Sequence, residues 1–311
     1  MRRKEPREIC LEILNQVEQT DEHPDQLITH SFKRYPHLTP LDRAFVTELT
    51  YGVLRWRGRI DWILQQFSHL PFEKIEPKIL NILRLGLYQI LFLSKTPFSA
   101  SVHESVELAK KIRGRGGGGF VNAVLRSFLR KKDDLVYPDL NKYPDLYLSI
   151  VQSHPLWLAQ KWMKEMGVEK TMEICLFNNE ISPLILRTNT LKMDRKHLIE
   201  KLIKEGLKPY PTLYSDEGII LKESPPISEL PFIHEGFYVL QEEASQLVAH
   251  ILDPRPGEKI LDACAGPGGK TTHLAQRMEN RGEIYALDLS KKKLNVTEKR
   301  CHELGIKIVK T

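Results

Sequence analysis

The residues best placed to do chemistry lie between an apolar run and a helical segment in the last quarter of the chain. The segment Lys259–Leu274 reads KILDACAGPGGKTTHL, an apolar start followed by a glycine-rich turn. Gly266, Gly268 and Gly269 let the backbone reach positive φ and approach a ligand closely. The amide groups that open the next helix, predicted over residues 271–278, face such a ligand. A strand, a tight loop and a helix in this order are typical of a small-molecule pocket in an α/β fold.

Two acidic residues mark the carboxyl ends of the predicted strands. Asp262 ends the first apolar run, and Asp288 ends a second one, EIYALD, which begins at Glu283. In a βαβ unit, the acid after the second strand accepts hydrogen bonds from ribose hydroxyl groups. NAD and S-adenosylmethionine (SAM) both carry a ribose, so Asp288 alone does not distinguish between them.

The glycine loop is compared with the binding motifs of three ligand classes. A phosphate-binding loop, G-x-x-x-x-G-K-[ST], matches residues 269–271, but Cys264 stands where its first glycine is required. A dinucleotide loop, G-x-G-x-x-G, matches two glycines, but its third position is Thr271. A SAM loop needs no phosphate site and is marked by an acid at the end of the first strand, where Asp262 stands. A structural turn without a ligand is the remaining interpretation, although packing gives no reason for two acids at two strand ends.

The same stretch resembles a known family. The run DACAGPGGKTTHL, which begins at Asp262, resembles the SAM-binding motif of the NOL/NOP/Sun family of RNA cytosine-5 methyltransferases. Gly266 stands where that family more often has alanine. The resemblance implies SAM as the cofactor. The residues predicted to bind it are Cys264, Ala265, Gly266, Pro267, Gly268, Gly269, Lys270 and Asp288.

The sequence supplies no catalytic residue. In the family, later strands carry Asp-x-Pro-Cys and Ser-x-Cys motifs, whose cysteines attack C6 of cytosine and help to release the product. Neither motif occurs in this sequence, so we expect a chain that is C-terminally truncated relative to a complete methyltransferase. Cys264 lies in the cofactor loop and is not expected to attack the base. Cys10 and Cys175 are predicted to be helix core residues, and Cys301 is predicted to pack inward.

Composition bounds the class of the whole chain. Its 311 residues, 41% of them hydrophobic, suggest about two domains with ample buried cores. The sequence has no run of about 18 apolar residues and no apolar signal region, which predicts a cytoplasmic protein without membrane contact. Its four cysteines lack zinc spacing, so no metal site is predicted. A net charge of +6 weakly favours a polyanionic partner, and we expect a monomer.

Residues 1–133 predict a helical bundle. Thr39 followed by Pro40 marks a helix start, and strand-type alternation is absent. Helices are predicted from apolar spacing over residues 8–18, 44–54, 59–67, 77–93, 101–112 and 120–129. The runs LDRAFVTELTYGVL from Leu41 and FVNAVLR from Phe120 resemble the NusB-like RNA-binding domain, which precedes the methyltransferase in one branch of the family.

Two basic segments of this region are candidates for RNA contact. Residues 54–59, LRWRGR, combine arginines, which suit phosphate, with Trp56, which can stack on a base. A solvated helix end with a half-buried tryptophan explains them equally well. Residues 110–120, KKIRGRGGGGF, place a glycine run at a helix start, where amide groups can cradle a phosphate. A flexible loop between helices is the plainer interpretation.

A polar linker with prolines is predicted over residues 134–144. A small α/β segment follows over residues 145–235, with a strand at 184–187 and a helix at 194–205. Its position resembles the RNA-recognition segment of the family, in which Arg187 and Asn189 either touch RNA or pack at a strand end. Residues 236–311 are predicted to be the N-terminal part of the methyltransferase domain.

The predicted fold is therefore multidomain. It combines an all-α NusB-like helical bundle, a small α/β segment and the start of an α/β Rossmann-like SAM-dependent methyltransferase fold. Relatives with this domain order look like the enzyme that methylates cytosine 967 of bacterial 16S rRNA, so the resemblance implies SAM-dependent C5-methylation of cytosine in 16S ribosomal RNA. The alternative is a non-catalytic NusB-like RNA-binding protein with a vestigial SAM fold.

Overall fold

The computed structural model describes residues 3–225 and 227–311. The chain divides into two compact units, a first unit over Met1–Glu180 and a second unit over Ile181–Thr311. None of the helices in the described part of the chain combines the length and the apolar character of a membrane span.

The regular elements of the first unit, within its described residues, are all helical, as predicted for residues 1–133. They are α1 (Pro6–Gln19), α2 (Pro24–Arg34), α3 (Pro40–Arg55), α4 (Arg57–Phe67), α5 (Pro77–Phe92), α6 (Phe98–Lys131), α7 (Pro144–Ile150) and α8 (Leu156–Asn179), with short 3-10 turns at Phe72–Lys74 and Lys132–Asp134. Helix α2 was not predicted, because it buries only a narrow stripe that includes Leu27 and Ile28. The predicted start of α3 is confirmed, since Thr39 and Asp42 cap each other and Pro40 takes the first helical position.

Helix α5 forms the centre of the bundle and is buried from Ile79 to Ile90. This burial includes a cation, Arg84, whose side chain is 4% exposed. Its guanidinium donates to Asp61 at 2.7 and 2.8 Å and to Glu18 at 2.6 Å. A buried guanidinium is tolerated when carboxylates pair with it in this way.

Helix α6 bends where the glycine run begins. Gly114 has φ +63°, a value that favours glycine, and Arg113 is also non-helical. Gly116–Gly119 lie inside the second half of the helix, so the interpretation of this run as a flexible loop is wrong. Helix α8 breaks similarly at Gly167, which has φ +81°.

The second unit begins with a four-stranded antiparallel sheet of order β2-β3-β1-β4. Its elements are β1 (Leu184–Thr188), α9 (Arg195–Lys204), β2 (Pro209–Pro211), β3 (Gly218–Leu221), a 3-10 turn at Ile227–Glu229, and β4 (Tyr238–Leu240). Strand β1 and helix α9 match the prediction, and Asp194 caps α9 by accepting from the His197 amide. Strands β2 and β3 were not predicted. Strand β4 falls within the predicted methyltransferase part, residues 236–311, but it pairs with β1.

A three-stranded parallel sheet of order β5-β6-β7 completes the second unit. Its elements are α10 (Glu243–Leu252), β5 (Lys259–Asp262), α11 (Gly269–Arg277), β6 (Glu283–Ala286), α12 (Lys291–Leu304) and β7 (Val309–Lys310). This order confirms the predicted start of a Rossmann-like fold. Because β5 and β6 are parallel neighbours, their carboxyl ends meet at one edge of the sheet.

Candidate functional site

A cavity of about 370 Å³ opens where β5 and β6 end. Small-molecule sites usually measure about 300–1,000 Å³. The cavity is lined by Ala263, Cys264, Asp288, Leu289, Ser290 and Lys293. Four of these residues were not predicted: Ala263, Leu289, Ser290 and Lys293. Their position in the sequence, directly after the strand-end acids or at the start of α12, could have indicated them.

Backbone hydrogen bonds tie the glycine loop to the strand ends. The Leu287 amide donates to the Asp262 carbonyl at 2.8 Å, and the Ala265 amide donates to the Leu287 carbonyl at 2.9 Å. Gly268 has φ +79°, and a Cβ atom there would lie 2.7 Å from Cγ2 of Thr297. Helix α12 therefore packs directly against the loop, and this close approach requires glycine.

Both strand-end acids are held as hydrogen-bond acceptors. Asp262 Oδ2 accepts from the Thr271 hydroxyl at 2.7 Å. Asp288 accepts from the amides of Ser290 at 2.8 Å and Gly266 at 2.9 Å. These two amides, Ser290 first, hold the pKa of Asp288 below its usual value. Since an ionised carboxylate has about four acceptor positions, Asp288 keeps acceptor capacity for a ligand.

Helix α12 also satisfies two carbonyls of the loop. The Thr297 hydroxyl donates to the Gly266 carbonyl at 2.9 Å. The Arg300 guanidinium donates to the Pro267 carbonyl at 2.8 Å. The shape of the loop is thus set by protein contacts, which is the preorganisation that lowers the entropic cost of binding.

Arg187 supports the loop from the opposite side. It is fully buried on β1, and its guanidinium donates to the Gly269 carbonyl at 2.7 Å, to the Thr272 hydroxyl at 3.0 Å and to the Gln241 side chain. Burial lowers its pKa to about 9, so it stays cationic at neutral pH. Arg187 forms no ion pair within the described ranges. The interpretation that Arg187 touches RNA is therefore wrong, and the interpretation that it packs at a strand end is confirmed.

Asn189 has a packing role as well. It is fully buried, and its amide donates to the carbonyls of Gly236 at 2.8 Å and Leu304 at 3.0 Å. These bonds join the end of β1 to the segment before β4 and to the end of α12. Contact between Asn189 and RNA is excluded by this burial.

The exchange Arg187→Met should lower the stability of the second unit by about 1–3 kcal/mol, because buried acceptors lose their donor. The loss is limited to this range because the exchange also removes a desolvated cation. Hydrogen exchange of peptides from residues 181–311 in denaturant measures the change. Arg255→Met is the control, since the Arg255 side chain is 73% exposed. An Arg187 variant as stable as the control would contradict the supporting role.

Only two of the eight predicted cofactor residues, Cys264 and Asp288, line the cavity described above. The other six form the loop beside it and the first two residues of α11. Ala265 and Gly268 are buried, Gly266 and Gly269 are half-buried, and Pro267 and Lys270 are exposed. Their contribution to ligand binding stays a prediction.

A separate polar cluster in the second unit contains Glu217, His250 and His273. His250 Nε2 lies 2.7 Å from the Glu217 carboxylate, and His273 Nε2 lies 3.8 Å from it. One carboxylate and two histidines can hold a zinc ion. Here, however, Nη1 of Arg277 lies 3.3 Å from His250 Nδ1, which must accept that hydrogen bond. The proton of neutral His250 then sits on Nε2 facing Glu217, which favours a structural role for the cluster.

The burial of the four cysteines agrees with the sequence analysis. Cys10, Cys175 and Cys301 are buried, while Cys264 is exposed in the glycine loop. Burial raises the pKa of Cys10 to about 12 and that of Cys301 to about 11. These two thiols are protonated at neutral pH and are not nucleophiles.

The basic segment around Trp56 packs within the first unit. Trp56 stacks on Phe92 with ring centroids 4.9 Å apart. The Arg59 guanidinium lies 5.0 Å from the centre of the Tyr137 ring. These contacts assign Trp56 and Arg59 to packing and support the interpretation as a helix end with a half-buried tryptophan.

Three family descriptions match consecutive parts of the chain. The NusB family matches residues 4–130, and the RsmF/B-like ferredoxin-like domain matches residues 154–228. The 16S rRNA methyltransferase RsmB/F family matches residues 249–311. The glycine loop and Asp288 lie inside the third match.

Curated relatives match nearly the whole chain. A protein of Bacillus subtilis (strain 168), named probable ribosomal RNA small subunit methyltransferase B, is 36% identical over 310 residues, which cover 99% of this chain and 68% of that protein. A protein of the same name from Synechocystis sp. is 34% identical, with 97% and 68% covered. Both are named as methyltransferases, so the alternative of a non-catalytic RNA-binding protein is not favoured.

A solved structure shares the fold along the chain. The crystal structure of PH0851 aligns with a TM-score of 0.76 at 24% identity, covering 99% of this chain and 69% of that one. At this identity the likeness concerns the fold alone. Given the identity and coverage of its curated relatives, the chain belongs to the ribosomal RNA small subunit methyltransferase family RsmB/F.

Proposed function

We propose that this chain binds SAM in the cavity beside Asp288 and serves C5-methylation of a cytosine in 16S rRNA. Cytosine 967 is the target implied by the family resemblance. The observation that carries the proposal is the pair of carboxylates, Asp262 and Asp288, at the ends of adjacent parallel strands around the preorganised glycine loop.

The chemistry of this edge suits SAM. Its ribose hydroxyls and ammonium group donate hydrogen bonds, and the two carboxylates accept them. Lys293 lines the cavity and suits the carboxylate of the methionine part, while the exposed side chain of Leu289 offers apolar surface to the adenine. A phosphate group at the glycine loop would be repelled by Asp262 at the end of the first strand, which argues against the phosphate-binding and dinucleotide alternatives. When bound, SAM supplies the methyl group.

The proposed role of this chain in the reaction is to hold the cofactor and contact the RNA. Cytosine-5 methylation needs a thiolate nucleophile. Cys10 and Cys301 are buried with raised pKa values, and Cys264 lines the cofactor cavity. We assign RNA contact to the NusB-like domain, residues 1–133, and to the small segment, residues 145–235. The linker at 134–144 and the methyltransferase part at 236–311 complete this proposed division.

Calorimetric titration of the full 311-residue chain with SAM tests the proposal, and Asp288→Ala is the informative variant. We expect the variant to lose about 1–3 kcal/mol of binding free energy, because the ribose hydroxyls lose their acceptor. Glu283→Ala is the control, since Glu283 lies at the opposite end of β6 and outside the cavity. Equal affinities of the two variants would contradict the ribose-binding role of Asp288.

A further inference from the structure

A second cavity, of about 540 Å³, lies in the first unit where α6 bends. Ile75, Ile79 and Phe120 contribute apolar walls, and Lys74 and Arg113 stand among the lining residues. The proposed cofactor site uses none of these residues. The cavity is large enough for a small organic ligand and combines an apolar interior with cations.

The glycine run of α6 keeps this cavity open. A Cβ atom on Gly117 or Gly118 would lie 2.8 Å from Arg113 Cβ or 2.6 Å from Lys110 Cγ, so close contacts across the bend of α6 explain these two glycines. Gly116 and Gly119 also line the cavity, but a Cβ atom on either would meet nothing within 4 Å. Glycine is unfavourable inside a helix, and packing does not require these two. What they provide is open space beside the cavity wall.

Aromatic and basic groups border this space. The rings of His69 and Phe120 meet edge to face with centroids 5.4 Å apart, and both residues line the cavity. Lys74 is exposed and forms no ion pair with any residue that the structure describes. Arg113 pairs with Glu76 at 3.3 Å, but its side chain is 65% exposed. Such an exposed pair is weak, so a phosphate can compete for the guanidinium.

We propose that this cavity binds one nucleotide of single-stranded RNA, with its base against Phe120 and His69 and its phosphate near Lys74 and Arg113. Single-stranded nucleic acids are bound by this combination of stacking surfaces and cations. A base enters such a cavity only when it is unpaired. The inference rests on the proposed function, because it takes RNA as the substrate, and it adds a site and a strand preference.

The variant Gly119→Leu tests the cavity by filling it. Leucine favours the helix more than glycine does, and a Cβ atom meets no neighbour, so the fold should be kept. We expect affinity for a fluorescein-labelled ten-nucleotide oligouridine, measured by anisotropy on the full chain, to fall by about tenfold or more. Asn122→Leu places the same side chain on the same helix outside the cavity and should bind like wild type. A duplex of equal length should bind wild type more weakly than the single strand.

The exchange Lys74→Glu tests the phosphate contact. Its control is Lys78→Glu, which changes the net charge equally at an exposed position outside the cavity. The slope of log affinity against log salt concentration should become shallower by about the amount expected for one phosphate contact in Lys74→Glu. The change should be smaller in Lys78→Glu.

Three results would overturn the inference: unchanged oligouridine binding by Gly119→Leu, equal effects of the two lysine variants, or no RNA binding by wild type. SAM titration of Gly119→Leu keeps the two proposals apart, because this variant should bind SAM like wild type. Normal SAM binding with an unaffected RNA affinity refutes the nucleotide site alone. If the wild type does not bind SAM but the RNA results are as expected, only the proposed cofactor site is refuted.

Discussion

Replacing Gly268 with valine is expected to weaken SAM binding on the order of 100-fold or more. Gly268 has φ +79°, and a Cβ atom there would lie 2.7 Å from Thr297 Cγ2. A β-branched residue is strained at this φ, and the collision forces the loop away from α12. The movement breaks the hydrogen bond from Thr297 to the Gly266 carbonyl and displaces the Gly266 amide from Asp288.

Calorimetry with SAM measures the effect, and Gly206→Val supplies the matched control. Gly206 lies in the same unit with φ +82°, but a Cβ atom there meets nothing within 4 Å. The control therefore carries the same backbone strain without the collision and away from the loop. It should lose stability and keep its SAM affinity. If Gly268→Val bound SAM as tightly as Gly206→Val, the cofactor would not lie on this loop.

The edge of the sheet where β5 and β6 end was predictable because its determinants are contiguous in the sequence. Strand β5, the glycine loop and α11 occupy one uninterrupted run, and Asp288 ends the next apolar run. Parallel pairing of neighbouring strands then brings the two acids together without further information. Helix starts were predictable for the same reason, since the partners of the capping box at Thr39 are three residues apart.

The parts that the sequence did not predict depend on distant partners. Strands β2 and β3 have only three and four residues, and β2 begins and ends with proline, so neither shows a clear alternation. The role of Arg187 depends on Gly269 and Thr272, which lie more than 80 positions away. An arginine at a strand end is usually exposed, and only the packed structure shows that this one supports the glycine loop.

The polar cluster of Glu217, His250 and His273 should make the second unit sensitive to acid. His273 is fully buried, and neither ring nitrogen has a hydrogen-bond partner among the described residues. Burial lowers the pKa of His273, the Glu217 carboxylate opposes this, and the resulting value is about 4. His250, Arg277 and Arg187 are the other charged or titratable groups near it.

The direction of the effect follows from proton binding in the two states. In the unfolded chain His273 binds a proton near pH 6.5, whereas in the folded chain it does so only near pH 4. The unfolded state therefore holds more protons between these values, and stability falls as the pH is lowered from 6.5 to 4. The contribution of His273 is about 3 kcal/mol, fully present above pH 6.5 and lost below pH 4.

Glu217 extends the loss to lower pH. Burial raises its pKa, but the neighbouring His273 and His250 rings outweigh burial and lower it to about 2. A carboxylate with a lowered pKa stabilises the fold above its ordinary value of 4.5, and this stability is lost as the pH falls towards 2. Because the groups interact, they titrate as a coupled set, and their contributions are not additive.

Hydrogen exchange of α11 peptides at several pH values measures this loss. All four tryptophans, Trp56, Trp62, Trp157 and Trp162, lie in the first unit, so their fluorescence reports separately on that unit. The variant His273→Gln should flatten the pH dependence of α11 between 6.5 and 4, because glutamine does not titrate. His302→Gln, at an exposed position of the same unit, should keep the wild-type slope. A slope that persists in His273→Gln would show that the acid sensitivity comes from another group.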